Sequence, residues 1–291
     1  MKNATEKIFV SILAFALCAI LSVTILCGIK PAFADADEQT VYCIDGTYSG
    51  TGTQTSATYD IPCDDYEIID GAVHSMPPSF GNGDSSMSNA CGPLAGMNIV
   101  TFFDRWCTEL VPNYDPGIMF SSGYQYWPDR YLSQTKTCIR TLYELMEVAE
   151  LGGTTSANFK SGLRTYVEDA GYNVSTSSFY SNSTTVSLSK LKTAINQNKV
   201  GLIMCERFDY VSNIIISKSD SLARIVKVHY DAAHIMMVTG YETVAFYKEG
   251  VTVATETFLR VSSGFSSGES GYVQLNDSYL NIDEALIYTI Q

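Results

Sequence analysis

The stretch Asn89-Ala90-Cys91-Gly92-Pro93-Leu94-Ala95-Gly96, continuing as Met97-Asn98-Ile99-Val100-Thr101-Phe102-Phe103-Asp104-Arg105-Trp106, decides how this chain is read. Pro93 suits the first turn of a helix, where its missing N–H has no intrahelical partner to lose, so a helix over 93–106 is predicted. Gly92 leaves the backbone open to close approach by a bound group. Cys91 then stands at the positive end of a nearly all-apolar helix. Unpaired N–H groups and the summed peptide dipole favour a thiolate there, and the thiolate is the form that attacks carbonyl carbon.

Such a nucleophile needs a base, and the chain has three histidines. His234 opens the apolar run His234-Ile235-Met236-Met237-Val238-Thr239-Gly240-Tyr241, which reads as a strand with a histidine at its head. His229, in Val228-His229-Tyr230-Asp231, is the rival base and ranks second because no such run follows it. His74 lies in a loop and is given no role. The two motifs, about 140 residues apart, resemble the papain-like cysteine peptidases. The Ala90-Cys91-Gly92-Pro93 form is most similar to their bacterial branch related to the double-glycine (bacteriocin-leader) peptidases.

The resemblance implies Cys91 as nucleophile and His234 as general base and acid. It implies an α+β fold, with an N-terminal helical half whose cysteine helix packs on a C-terminal antiparallel sheet, over residues 75–291. Two supporting positions depart from the family. Its usual asparagine or aspartate after the histidine strand falls on Ser262 in Phe258-Leu259-Arg260-Val261-Ser262-Ser263-Gly264-Phe265, and a serine orients imidazole without adding charge; Asp231, Asn276 and Asp277 are the other candidates. Its oxyanion-binding glutamine is missing from Ser85-Ser86-Met87-Ser88-Asn89-Ala90, so the Asn89 amide with the Cys91 N–H takes that role, or Asn82 further up the loop. The expected activity is peptide-bond hydrolysis through a Cys91 acyl-enzyme. The alternative is an inactive domain of the same fold that binds peptide, host protein or cell-wall material.

Composition fits a secreted or cell-surface protein. Lys2 and Lys7 flank an apolar run from Ile8 to Ile29, and Ala32-Phe33-Ala34 precedes Asp35, so 1–34 read as a signal peptide cut after Ala34. An uncleaved anchor is the competing reading, since the run is long enough to span a bilayer. Leu26 before Cys27 is too large for a lipoprotein site. The whole chain carries a formal charge of −13, and losing three lysines and one glutamate with the leader takes it to −15. That excludes nucleic acid as a partner and leaves a peptide or protein substrate. Cys43, Cys63, Cys91, Cys107, Cys138 and Cys205 remain, without metal-site spacing. Cys43 with Cys63 and Cys107 with Cys138 are possible disulfides, and Cys205 reads as core. No phosphate loop, Gly-x-Ser-x-Gly elbow or His-Glu-x-x-His helix occurs, and no cofactor or metal is expected.

Along the chain, 35–74 reads as a pro-segment or small β-rich lead-in. Helices are predicted over 93–106, 135–151, 156–170 and 188–198, with Gly152-Gly153 capping the second. Strands are predicted near 172–176, 200–206, 234–241, 244–247, 251–261 and 272–275, with Lys248-Glu249-Gly250 as a turn. Helices first and sheet afterwards define the α+β class. Tyr124, Tyr126 and Trp127, after the first helix, are candidates to line a substrate groove.

Overall fold

The computed structural model describes residues 54–74, 77–81, 86–114, 132–181, 185–217, 221–265, 270–275 and 278–291. The expected leader, Cys43, Asn82, Asn276, Asp277 and the three aromatic residues near 124–127 lie outside them. The described chain is α+β, with helices on a large antiparallel sheet. Helix α1 spans Cys91–Phe103, α2 Leu132–Leu145, α3 Val148–Leu151, α4 Ser156–Asp169 and α5 Leu188–Asn196. The strands are β1 Gln54–Pro62, β2 Asp65–Val73, β3 Val174–Ser178, β4 Val200–Ser217, β5 Leu222–Tyr230, β6 His234–Lys248, β7 Val251–Ser262, β8 Ser270–Gln274 and β9 Asn281–Ile290.

Every residue of α1 is buried, including the polar Asn98 and Thr101, as its mostly apolar sequence requires. It packs with α2 and α4 on one face of the sheet, where Val200, Leu202 and Met204 of β4, Ile235 and Met237 of β6, and Tyr288 and Ile290 of β9 meet it. The opposite face carries Ile203, Cys205, Phe208, Met236, Val238, Leu259 and Val261 against α5. This odd-even division is the period of two of a strand covered on both sides.

Strand β4 changes partners partway along. Its first half pairs with β6 and β9, and its second half with β5 and β8. Register shifts at Met204/Cys205 and Cys205/Arg207 mark the change, as expected where a bulge bends one strand between two neighbours. Because β6 pairs with β7, β7 with β8 and β8 with β4, these four strands close on themselves. The β6–β7 hairpin turns at Glu249-Gly250, both at positive φ (52° and 78°), the conformation that matches the twist of flanking strands.

Several expected elements are redrawn. Residues 54–73, read as a separate lead-in, are two strands of the main sheet, β1 on β5 and β2 on β6. The helix expected over 135–151 breaks at Glu147, which adopts a left-handed backbone (φ 55°), giving α2 and α3; Gly152 caps the second in the same conformation. Strand β4 continues 11 residues past the expected 206. The possible Cys107–Cys138 pair is not formed: both are free thiols, like Cys63 and Cys205, and Cys107 donates weakly to the Ile290 carbonyl at 3.7 Å.

Candidate functional site

Cys91 is the first residue of α1 and is 1% exposed. No side chain caps this helix end, and no acidic residue sits in its first turn to offset the dipole. Pro93 contributes no N–H, and the Leu94 N–H already closes on the Ala90 carbonyl at 2.9 Å. The start of α1 thus presents the positive end of its dipole to Cys91, a local field that favours a thiolate. Burial works against ionisation of every described thiol, the nearly inaccessible Cys91 included. Burial pushes Cys138 up to about 12 and also raises Cys63, Cys107 and Cys205, so they stay protonated.

The position of α1 along β6 follows from two anchors. Near its far end, the Phe102 ring lies 4.6 Å from that of His74. His74 in turn donates its N–H to the Thr239 carbonyl at 2.8 Å, and its Nε2 donates to the Lys199 carbonyl at 2.7 Å. Eleven helical residues back from Phe102, about 16 Å, reach Cys91; five strand residues back from Thr239, also about 16 Å, reach His234. At the near end a Cβ built on Gly264 would stand 3.4 Å from Leu94, one turn into the helix. Gly264 follows Ser263, the residue that holds His234. The Cys91 end of α1 thus lies toward the Ser263–Gly264 segment and the head of β6, while the His234 ring is directed to the sheet face opposite the one that carries α1.

His234 is fully buried at the head of β6, opposite Cys205 in the β4 register. Its side chain points away from the face of Ile235 and Met237, into a group of near-parallel rings. Phe265 lies 5.0 Å from it at 10° and Phe208 5.8 Å at 17°, and Tyr230 stacks on both of those, 5.0 Å from Phe208 and 5.3 Å from Phe265. The Nε2 atom lies 2.7 Å from the Ser263 carbonyl oxygen. A carbonyl only accepts, so Nε2 carries the proton and, in the neutral ring, Nδ1 is the bare basic nitrogen. Nδ1 has no hydrogen-bond partner among the described residues.

Ser262, expected to orient this ring, does not touch it. It pairs with Met237 in the β6–β7 register, on the other side of the strand, and its hydroxyl donates to the Pro78 carbonyl at 2.6 Å. The main chain one residue later supplies the orienting acceptor. Asp231 is exposed in the turn between β5 and β6.

Asn89, expected as the oxyanion donor, adopts a left-handed backbone (φ 60°) and donates its side-chain amide to the Gly152 carbonyl at 2.7 Å. This bond ties the Gly152–Thr154 loop to the residue two before the thiol. The close approach that Gly92 permits is filled by that loop. A Cβ at Gly92 would stand 2.6 Å from Thr154 Cβ and 2.7 Å from its Cγ2, and closer still to Oγ1.

The rival histidine has a different setting. His229 on β5 faces Asp209 on β4, its register partner, and its Nδ1–H donates to the buried Asp209 carboxylate. Lys227 Nζ lies 3.7 Å from the other carboxylate oxygen, and the Tyr279 ring stands edge-on to the imidazole at 5.1 Å. His229 remains 30% exposed. Sequence reading missed Asp209, Thr154, Ser263 and the ring group; only Phe265, after Gly264 at a strand end, carried a visible aromatic signal.

Among the described residues no group of three or more His, Cys, Asp or Glu side chains is placed to hold a metal ion, and no helix is long and apolar enough to cross a membrane. Comparison with protein-family models, curated proteins and solved structures found no match for this chain.

Proposed function

We propose that the chain is a secreted or cell-surface thiol hydrolase on a papain-like framework, cleaving peptide bonds with Cys91 as nucleophile and His234 as general base and acid. The observation that carries this reading is the setting of Cys91, first residue of a buried helix without a side-chain cap; the strand on which that helix packs is headed by a histidine whose Nε2 proton is held by a carbonyl, with its ring on the opposite face of the sheet. His234 Nδ1 takes the thiol proton, and the thiolate sulfur bonds to the substrate carbonyl carbon while the C=O π pair moves onto oxygen. Collapse of that tetrahedral species breaks the C–N bond as His234 returns the proton to the leaving amine. Water, deprotonated by the same nitrogen, then releases the acid and regenerates the thiol. Apo sites often hold such pairs apart and join them when substrate binds, which is consistent with the unbonded Nδ1.

A non-catalytic domain that binds peptide, host protein or cell-wall material is the second reading. It is favoured by the near-complete burial of Cys91 and because, among the described residues, the His234 ring bonds a main-chain carbonyl rather than a side-chain amide or carboxylate. The rate of iodoacetamide alkylation at Cys91, followed by peptide mass spectrometry from about pH 4 to 9, separates the two. A hydrolase labels rapidly below pH 7, and His234→Ala abolishes that phase. Labelling that rises only near pH 8.5 and ignores the mutation supports the binding domain.

A further inference from the structure

Thr154 is fully buried, and its Oγ1 has no hydrogen-bond partner among the described residues. A buried hydroxyl left unpaired is costly, and such groups are uncommon unless something else completes them. This one is not remote from the chemistry. It lies nearer than any other atom to the Cβ direction of Gly92, and Cβ directions on a helix tilt toward its N-terminus. The hydroxyl therefore faces the first turn of α1 at Gly92, the residue that follows Cys91.

Two features hold it there. The Asn89 amide grips the Gly152 carbonyl two residues before Thr154, and Thr155, the next residue, caps α4 by accepting from the Asn158 N–H at 3.1 Å. The loop is thus pinned on both sides of Thr154. Gly92 is the one residue in the first turn without a side chain, and Thr154 occupies the space it leaves.

Resting on the reading of Cys91 as nucleophile, we propose that Thr154 is the side-chain oxyanion donor of the site, with Asn89 as its positioning residue. When the Cys91 sulfur bonds to the carbonyl carbon, the displaced π pair makes an alkoxide. Thr154 Oγ1–H and the first-turn N–H groups donate to that oxygen without transferring a proton to it. The unsatisfied hydroxyl of the resting site acquires its acceptor only in the reaction, which is how binding energy is directed to the transition state.

The experiment compares two reagents on the full chain without its leader. Alkylation of Cys91 by iodoacetamide displaces iodide and forms no oxyanion, whereas acetylation by p-nitrophenyl acetate passes through a tetrahedral oxyanion and releases nitrophenolate. Thr154→Val, close to isosteric, is expected to leave alkylation within about 3-fold of wild type and to slow acetylation about 10²-fold. Thr154→Ser restores acetylation to within about 10-fold. Thermal unfolding adds a second readout: removing a hydroxyl without a hydrogen-bond partner among the described residues leaves Tm of the valine variant unchanged or raised. Equal slowing of both reagents, or no slowing of either, overturns the role of Thr154 while leaving the nucleophile intact. Slow, pH-ordinary alkylation of the wild type overturns the nucleophile, and the oxyanion role falls with it.

Discussion

The two histidines near the head of β6 are only five residues apart, yet the fold treats them differently. His234 is sealed among Phe208, Tyr230 and Phe265 and held by one main-chain carbonyl. His229 is part exposed and held by a buried carboxylate with a lysine behind it. By residue type alone, His229 has the better orienter, since a carboxylate offers a full charge where a carbonyl offers a dipole. Position favours His234, which heads the strand on which α1 packs and whose Nδ1 has no hydrogen-bond partner among the described residues. A catalytic group has to be aligned with its nucleophile before the strength of its partner matters.

The largest expected effect tests that ranking directly. His234→Ala should lower hydrolysis of a cleaved peptide by about 10³-fold or more, and His229→Ala by less than about 10-fold, measured as kcat/KM. The reverse order would transfer the base to His229. Next comes the packing around each ring. Phe265→Ala removes a buried wall of the His234 site and should cost about 3 kcal/mol in urea unfolding, whereas Tyr279→Ala, half-buried beside His229, should cost about 1 kcal/mol or less. Comparable losses would mean that the His234 ring group is not a packed unit.

Smaller effects separate the acceptors. Ser262→Ala breaks the buried bond to Pro78 and should cost about 1 kcal/mol of stability while leaving turnover within a few fold, because the Ser263 carbonyl still holds the ring. A loss of turnover of about 100-fold, with the fold intact, would return the orienting role to Ser262. The smallest effect is a matter of pH. Burial pushes the Asp104 carboxyl up to about 6, against an ordinary value of 3.8. The folded chain then keeps a proton that the unfolded chain releases between about pH 4 and 6, so this group's contribution to stability falls as pH rises through that window and is constant above it. Asp104→Asn should remove that slope and raise stability at pH 7 by about 1–2 kcal/mol, with no gain at pH 4. Denaturant midpoints at the two pH values check it.

The α1 helix was legible because its signals are local: a proline in the first turn, a glycine beside the cysteine, and a mostly apolar run. The strand at His234 was legible for the same reason, and Lys248-Glu249-Gly250 announced its turn. What escaped was set by pairing. Strand β4 passes through Glu206 and Arg207, polar and exposed at the partner change, so its second half did not read as a continuation. The orienter was sought among side chains, but a main-chain carbonyl has no residue-type signature, and the register shift between Val238 and Gly240 pairs Ser262 with Met237 instead of Val238, on the strand face away from the His234 ring. Thr154 had no signal at all. Its place is created by a loop between two helices folding back on Gly92, a contact between residues 62 positions apart.

With only three histidines in the chain, nitrogen NMR of the imidazole rings at neutral pH, in wild type and Cys91→Ala, tests the pairing without requiring a substrate. The account predicts that removing the thiol shifts the Nδ1 resonance of His234, while its Nε2 keeps a proton in both proteins and the His229 signals stay where they were. A His234 spectrum indifferent to Cys91, or a change confined to His229, would contradict it.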